Sequence, residues 1–332
     1  MRKLLLGTTA LAAATTLAAN AALADVSISA YSEWFYNSRS SNQSTLDGTN
    51  FGQESEIAFK FTNKTDSGLT ITLESQLDAD GMATVIDDQY LAISGGFGKI
   101  KLGSDDGVGE DFAIEAEDLI AEESTPTHVS ATVLTDTDIV NANADLNKVS
   151  YYLPAMGGFS AGVSHVTNVD GDADSTSFGA KFTTAAAGST ITIGGASNTT
   201  DNSTQDIDSQ NIGVKITSGP VSFILAQSNF EAYDEDREAN GASISYNMGN
   251  GMTIGAYTME SDDALDAGEE YTKSGVEVQY TIVSGLTAVV TVDDYEYKAV
   301  TGGSGTSDSG TNSKFTLKAS FEENLMLNLR AA

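Results

Sequence analysis

The chain has no cysteine, three prolines, one tryptophan and two histidines. Without cysteine there is no disulfide scaffold, no thiolate zinc site and no cysteine nucleophile. His128 and His165 lie far apart and outside any H-E-x-x-H pattern, so they offer little for a metal centre or for acid–base catalysis. Positive charge is also scarce. Lys and Arg total 16 against 47 Asp and Glu, a formal net charge of -31 with a pI near 4.1. That imbalance excludes a nucleic-acid partner, because phosphate contacts need clustered Lys and Arg. Walker A and Rossmann fingerprints are absent. After residue 24, no apolar run reaches the roughly 18 residues of a membrane helix.

What is present begins with an export signal. Arg2 and Lys3 precede an uncharged stretch from Leu4 to Ala19, and Ala22-Leu23-Ala24 forms an A-x-A cleavage site before Asp25. Residues 1–24 are therefore read as a secretory signal peptide, with 25–332 as the mature, exported domain.

Within that domain the dominant period is two. Ile57, Phe59 and Phe61 alternate with Ala58, Lys60 and Thr62; Ile212, Val214 and Ile216 with Gly213, Lys215 and Thr217; Val276, Val278, Tyr280 and Ile282 with Glu277, Gln279 and Thr281. Phe315, Leu317, Ala319 and Phe321 alternate with Lys314, Thr316, Lys318 and Ser320. Each segment is a strand with one apolar and one polar face. Sixteen such strands are expected, from 26–37 to 311–322. Short Gly- or Asn-bearing turns alternate with long polar connections at 38–51, 79–85, 104–146, 168–174, 198–206, 231–239, 260–270 and 298–310. An even strand count with two-sided loop asymmetry predicts an all-β fold, a single transmembrane antiparallel up-and-down barrel whose apolar faces meet lipid. Closure removes the edges that long strands would expose. Asn324 to Arg330 reads as a seventeenth strand, which leaves two readings open: a C-terminus cut short, or eighteen strands with one missed.

Four segments carry a resemblance: Asp25-Val26-Ser27-Ile28-Ser29-Ala30-Tyr31, Gly96-Phe97-Gly98-Lys99-Ile100-Lys101-Leu102-Gly103, Val149-Ser150-Tyr151-Tyr152-Leu153-Pro154 and Gly158-Phe159-Ser160-Ala161-Gly162. In this order, with the longest loop after the fifth strand, the mature chain resembles the trimeric general-diffusion porins of Gram-negative outer membranes, especially the alphaproteobacterial kind. The resemblance implies a homotrimer in outer-membrane lipid. It also implies a third loop folded into the barrel to narrow a water-filled pore for small hydrophilic solutes and ions, with no chemical step. Two departures stand out. Such porins usually end in Phe, whereas this chain ends Arg330-Ala331-Ala332, and the segment 79–85 is short and nearly uncharged where the family places an inter-subunit latch.

The expected site is the third loop, 104–146. It carries Asp105, Asp106, Glu110, Asp111, Glu115, Glu117, Asp118, Glu122, Glu123, Asp136, Asp138 and Asp145, with no Lys or Arg. An ordinary charge run is a solvated face, but a loop this long in a compact fold is usually functional. Carboxylates inside a pore concentrate cations and repel anions. Opposite them, alternation puts Lys60, Lys99 and Lys101 on the pore wall, with Lys60 equally well read as an ordinary partner of Glu74. Family constrictions use an arginine cluster there. Here the mature chain has only Arg39, Arg237 and Arg330, so a cation preference is expected. Asp170, Asp172 and Asp174 space their acids like part of a calcium loop but lack its closing Glu, so calcium would be held loosely at best and no other cofactor is expected. Trp34 and Tyr36 fit an aromatic girdle.

Three rivals differ in class. A substrate-selective sugar or nutrient channel needs a row of lumen aromatics, and Tyr31, Phe35 and Tyr257 are scattered. An outer-membrane barrel enzyme would have only two histidines from which to draw a base. A secreted calcium-binding adhesin needs GGxGxD repeats, and none occurs.

Overall fold

The structure is a computed structural model that describes residues 25–43, 47–79, 86–122, 134–138, 146–169, 173–202, 206–232, 235–263, 269–299 and 306–325. The signal segment, Glu123, Asp145, Asp170, Asp172 and the segment 80–85 lie outside these residues. Sixteen strands follow in order: β1 (Asp25–Ser41), β2 (Gly48–Lys64), β3 (Thr70–Asp78), β4 (Gln89–Gly95), β5 (Gly98–Ser104), β6 (Asn147–Tyr152), β7 (Phe159–Val169) and β8 (Ala173–Ala186). The second half comprises β9 (Ser189–Asn202), β10 (Ile207–Ser218), β11 (Val221–Ala232), β12 (Glu235–Gly249), β13 (Met252–Asp263), β14 (Glu270–Val283), β15 (Leu286–Lys298) and β16 (Asp308–Leu325). Every strand pairs antiparallel with its sequence neighbours, and β1 pairs with β16, so the sheet closes into one barrel.

Closure at sixteen corrects the seventeenth-strand reading of the tail. Asn324 and Leu325 already belong to β16, opposite Ser27 and Val26, and the other edge of β1 is taken by β2. With both edges filled, a further strand has no backbone donors or acceptors to join.

The turns show why one end is tight. Gly249 pairs with Met252 across Asn250-Gly251, both at positive φ (53° and 79°), which is the backbone of a two-residue type I′ hairpin. Ala187-Gly188 does the same between β8 and β9, with φ of 50° and 84°.

Burial is inverted relative to a water-soluble domain. Ile212 and Val276 are 59% and 57% exposed, while Ser150 and Thr291 are fully buried at 0%. Register makes the outer face continuous: Ile254, Val278 and Val290 stand side by side on β13, β14 and β15, and Val290 faces Phe315 on β16. An apolar belt outside and hydroxyls, amides and charges inside is the arrangement lipid requires, since all backbone bonds are met within the sheet.

Candidate functional site: a loop folded into the lumen

After β5 the chain turns inward. Gly107 sits at φ 92°, and a Cβ there would crowd Lys148 and Ser164 at 3.2 Å. A short helix α1 (Val108–Phe112) then packs against β7, β8 and β9, and a 3-10 turn (Ala116–Leu119) against β11, β12 and β13. Val108, Phe112, Ala113, Ile114 and Ala116 are all buried in this contact.

The wall beneath them is made of glycine. A Cβ at Gly179 would lie 2.5 Å from Phe112 Cβ, one at Gly213 2.4 Å from the Ile114 carbonyl, and one at Gly241 2.5 Å from Ala116 Cβ. A Cβ at Gly194 would lie 2.9 Å from Ile114 Cδ1, one at Gly255 2.8 Å from Ile120 Cδ1, and one at Gly162 3.0 Å from Val108. Gly194 is paired with Gly213, Gly213 with Ala226 and Ala226 with Gly241, so these positions form a track across successive strands. Glycine inside a strand marks close approach by another backbone, and here that backbone is the loop. Of these positions the alternation named only Gly213, as a polar-face residue of its strand; the small size of the others is the signal in the sequence for where the loop rests.

Wall side chains then satisfy the loop's backbone, as any buried peptide requires. Asn211 accepts from Ile114 N–H at 3.0 Å and donates to the Ile114 and Thr137 carbonyls at 3.1 and 2.8 Å. Ser261 donates to the Leu134 carbonyl at 2.6 Å, and Lys181 to the Asp111 carbonyl at 3.1 Å. One side chain thus ties together the outgoing arm (Ile114) and the returning arm (Thr137).

The expected site residues fall into distinct settings. Asp105 is buried, paired with Lys101, and its carbonyl accepts from Lys148. Asp106, Asp111 and Asp118 are exposed, and Asp111 accepts from the Tyr152 hydroxyl. Glu110 is half-buried on α1. Glu115 caps the 3-10 turn reciprocally with Asp118 and lies against Asp138, and burial followed by that neighbouring carboxylate pushes its carboxyl well above the usual range. Glu117 accepts from the Thr137 hydroxyl at 2.7 Å and so braces the loop internally. Glu122 is buried, with its carboxylate between Lys314 and Lys318. Asp174 is exposed on β8 opposite Asp201, away from the lumen loop.

On the wall, Lys60 pairs with Glu74 at 3.0 Å, as the plainer of its two readings had it. Lys99 stands 3.8 Å over the Tyr152 ring and Lys101 4.5 Å over Tyr90. Lys148, Lys181, Lys314 and Lys318 also reach the loop, although sequence reasoning assigned them no role; the alternation did mark Lys314 and Lys318 as polar-face positions. Tyr257 is buried beside Lys273, so it cannot extend a slide with Tyr31 and Phe35. The order Gly158 to Gly162 spells G-x-S-x-G, yet it runs from a turn into β7. No strand-to-helix elbow is formed there, and Ser160 donates to the Lys181 carbonyl at 3.5 Å.

The sequence signature of Gram-negative porins matches residues 7–300. The chain belongs to the Gram-negative porin family. No curated protein matches it by sequence. Among solved structures, the anion-selective porin of Comamonas acidovorans is similar over 90% of this chain and 100% of its own, at 15% identity and a TM-score of 0.65. A Rh. blastica porin variant matches over 89% and 100%, at 17% identity and a TM-score of 0.61. The trimer form of OmpT from Vibrio cholerae matches over 89% and 99%, at 12% identity and a TM-score of 0.65. Family and fold together make this porin a bacterial outer-membrane protein and a diffusion channel. The loop from β5 rests on glycine inside its lumen.

Proposed function

We propose that this porin is a passive, cation-preferring pore that works as a homotrimer, with no chemical step. The pairing pattern of the lumen carries this reading. Lys60, Lys101, Lys314 and Lys318 each already share a carboxylate, from Glu74, Asp105, Glu122 and Glu33. Further acids remain on the same surface: Glu54 and Glu56 point inward beside Glu33 and Tyr31, and Asp106, Asp111 and Asp118 are exposed on the loop. Glu56, Asp78 and Asp87 bring carboxylate oxygens within 4.8 Å of one another. Fixed negative charge in a narrow aqueous path raises the local cation concentration and repels anions. Small hydrophilic solutes would cross down their gradients, with the loop setting the size limit. The trimer is supported by the OmpT trimer form, which shares this barrel.

The test is reversal potential in a salt gradient across a planar bilayer. The parent should select cations, less strongly at high salt because the Debye length falls to about 3 Å at 1 M. The Asp106→Asn, Asp111→Asn, Asp118→Asn variant should shift the reversal potential toward zero without loss of folding, since exposed substitutions usually cost within about 0.5 kcal/mol. An unshifted potential would sink the assignment of selectivity to the loop.

A further inference from the structure

At Ala121 and Glu122 the outgoing arm of the loop is held differently from the stretch before it. Here the chain has left the glycine track and reached β14, β15 and β16. Glu277 on β14 is 1% exposed, and its two carboxylate oxygens accept the consecutive N–H groups of Ala121 and Glu122 at 2.9 and 2.8 Å. Gln279 donates to the same carboxylate at 2.7 Å. The Thr291 hydroxyl lies 2.8 Å from the Glu122 carbonyl and 3.1 Å from Glu277. Lys318 donates to the Ala121 carbonyl at 2.7 Å, while Lys314 and Lys318 together hold the Glu122 carboxylate.

We propose that Glu277 is the positioning residue of the constriction: by accepting two adjacent backbone N–H groups, its carboxylate pins the loop's outgoing arm at Ala121 and Glu122 to the wall and so fixes the aperture. The inference rests on the channel reading above. The chemistry asks for a carboxylate in particular. Two donors on neighbouring residues need two acceptors side by side, and an amide in that place would turn its NH2 toward one of them. Buried donors left without acceptors are costly, so this stretch of the loop would leave the wall to find water. The glycine track supplies contact along the stretch before it, but it has no polar group with which to fix this point.

The experiment compares parent, Glu277→Gln and Thr291→Val as full chains in planar bilayers at 1 M salt. At that concentration the Debye length is about 3 Å, so a lost charge adds little to the current and a moved loop dominates it. Glu277→Gln should give a larger and noisier open-channel current at an unchanged heat-modifiability temperature. Thr291→Val keeps every charge and should be noisier to a smaller degree. Glu277→Asp, with both acceptors on a shorter stem, should fall between parent and Glu277→Gln. Parent-like current and noise in Glu277→Gln overturns the proposal. If that variant does not assemble, Thr291→Val decides: added noise supports the pin, and a parent-like trace overturns it. A parent that forms no channel overturns the pore reading itself, an outcome distinct from channels that the variants leave unmoved.

Discussion

Two walls of one lumen are built from opposite side chains. On β7 to β13 the inward positions under the loop are Gly162, Gly179, Gly194, Gly213, Ala226, Gly241 and Gly255, and loop residues seat on them. On β1 to β3 the inward positions include Tyr31, Glu33, Glu54, Glu56, Lys60 and Glu74, and Glu54 and Lys60 remain exposed. The difference teaches that inward-facing is not one environment. Where a second backbone must come close, side-chain volume is removed. Where the inner wall stays open, charge is retained. The outer face adds a third environment, in which apolar side chains are exposed because their solvent is lipid.

Breaking the outer environment should have the largest effect. Val278 lies between Ile254 and Val290 in the apolar belt, and Val278→Lys would put an ammonium into hydrocarbon at about 2–4 kcal/mol near the midplane. Heat-modifiability gels should show lost or delayed assembly. Lys60→Ala, at an inward half-exposed position paired with Glu74, should assemble normally. If Val278→Lys is harmless and Lys60→Ala abolishes folding, the inside and outside of the barrel have been exchanged.

Breaking the boundary between the two inner walls should come next. Gly213→Val adds atoms where 2.4 Å separates an ideal Cβ from the Ile114 carbonyl. Overpacking of this kind typically costs about 1–3 kcal/mol, and here the loop can yield while the barrel stays closed. The variant should assemble, yet pass more current with a relaxed size limit in liposome swelling. A parent-like size limit would mean that the glycine track does not seat the loop.

The sequence made the barrel legible because period two is a local property and lipid makes it strict. All sixteen strands, the tight turns and the long third loop follow from it. The site was legible only in part. Acid content marked the loop, but charge does not say which carboxylates meet water: Asp106 and Asp118 do, whereas Glu122 is clasped by Lys314 and Lys318, some two hundred residues away in the chain. Asn211 and Glu277 escaped for the same reason. Each looks like one more polar residue on an inward face until the loop's N–H and C=O groups are placed against it. The glycines were readable in principle, since inward Gly on β7 to β10 and again on β12 and β13 is a pattern that turns do not explain.

The smallest effect expected is a dependence on pH, and it separates two points on the loop, Glu115 and Glu122. Glu115 sits where burial first, and then Asp138, Asp118 and Glu117, push its carboxyl up. A carboxyl raised in the docked loop keeps a proton that a freed loop would release. Docking at that point therefore weakens as pH rises from the ordinary carboxylate range toward the raised value, and strengthens in the reverse direction. Glu122 has the opposite sign. Burial alone would raise it, but Lys314 and Lys318 outweigh burial and hold it below the usual range. Its contribution is complete at neutral pH and is lost only in acid, as pH falls through the lowered value. Open-channel noise should thus grow modestly from mildly acidic to mildly alkaline buffer. Glu115→Gln, which fixes the uncharged form, should flatten that dependence and leave the acid side unchanged. A variant that keeps the parent's alkaline noise would show that the first bend of the loop does not sense its own charge, leaving the glycine seat and the Asn211 clamp as the whole of its attachment.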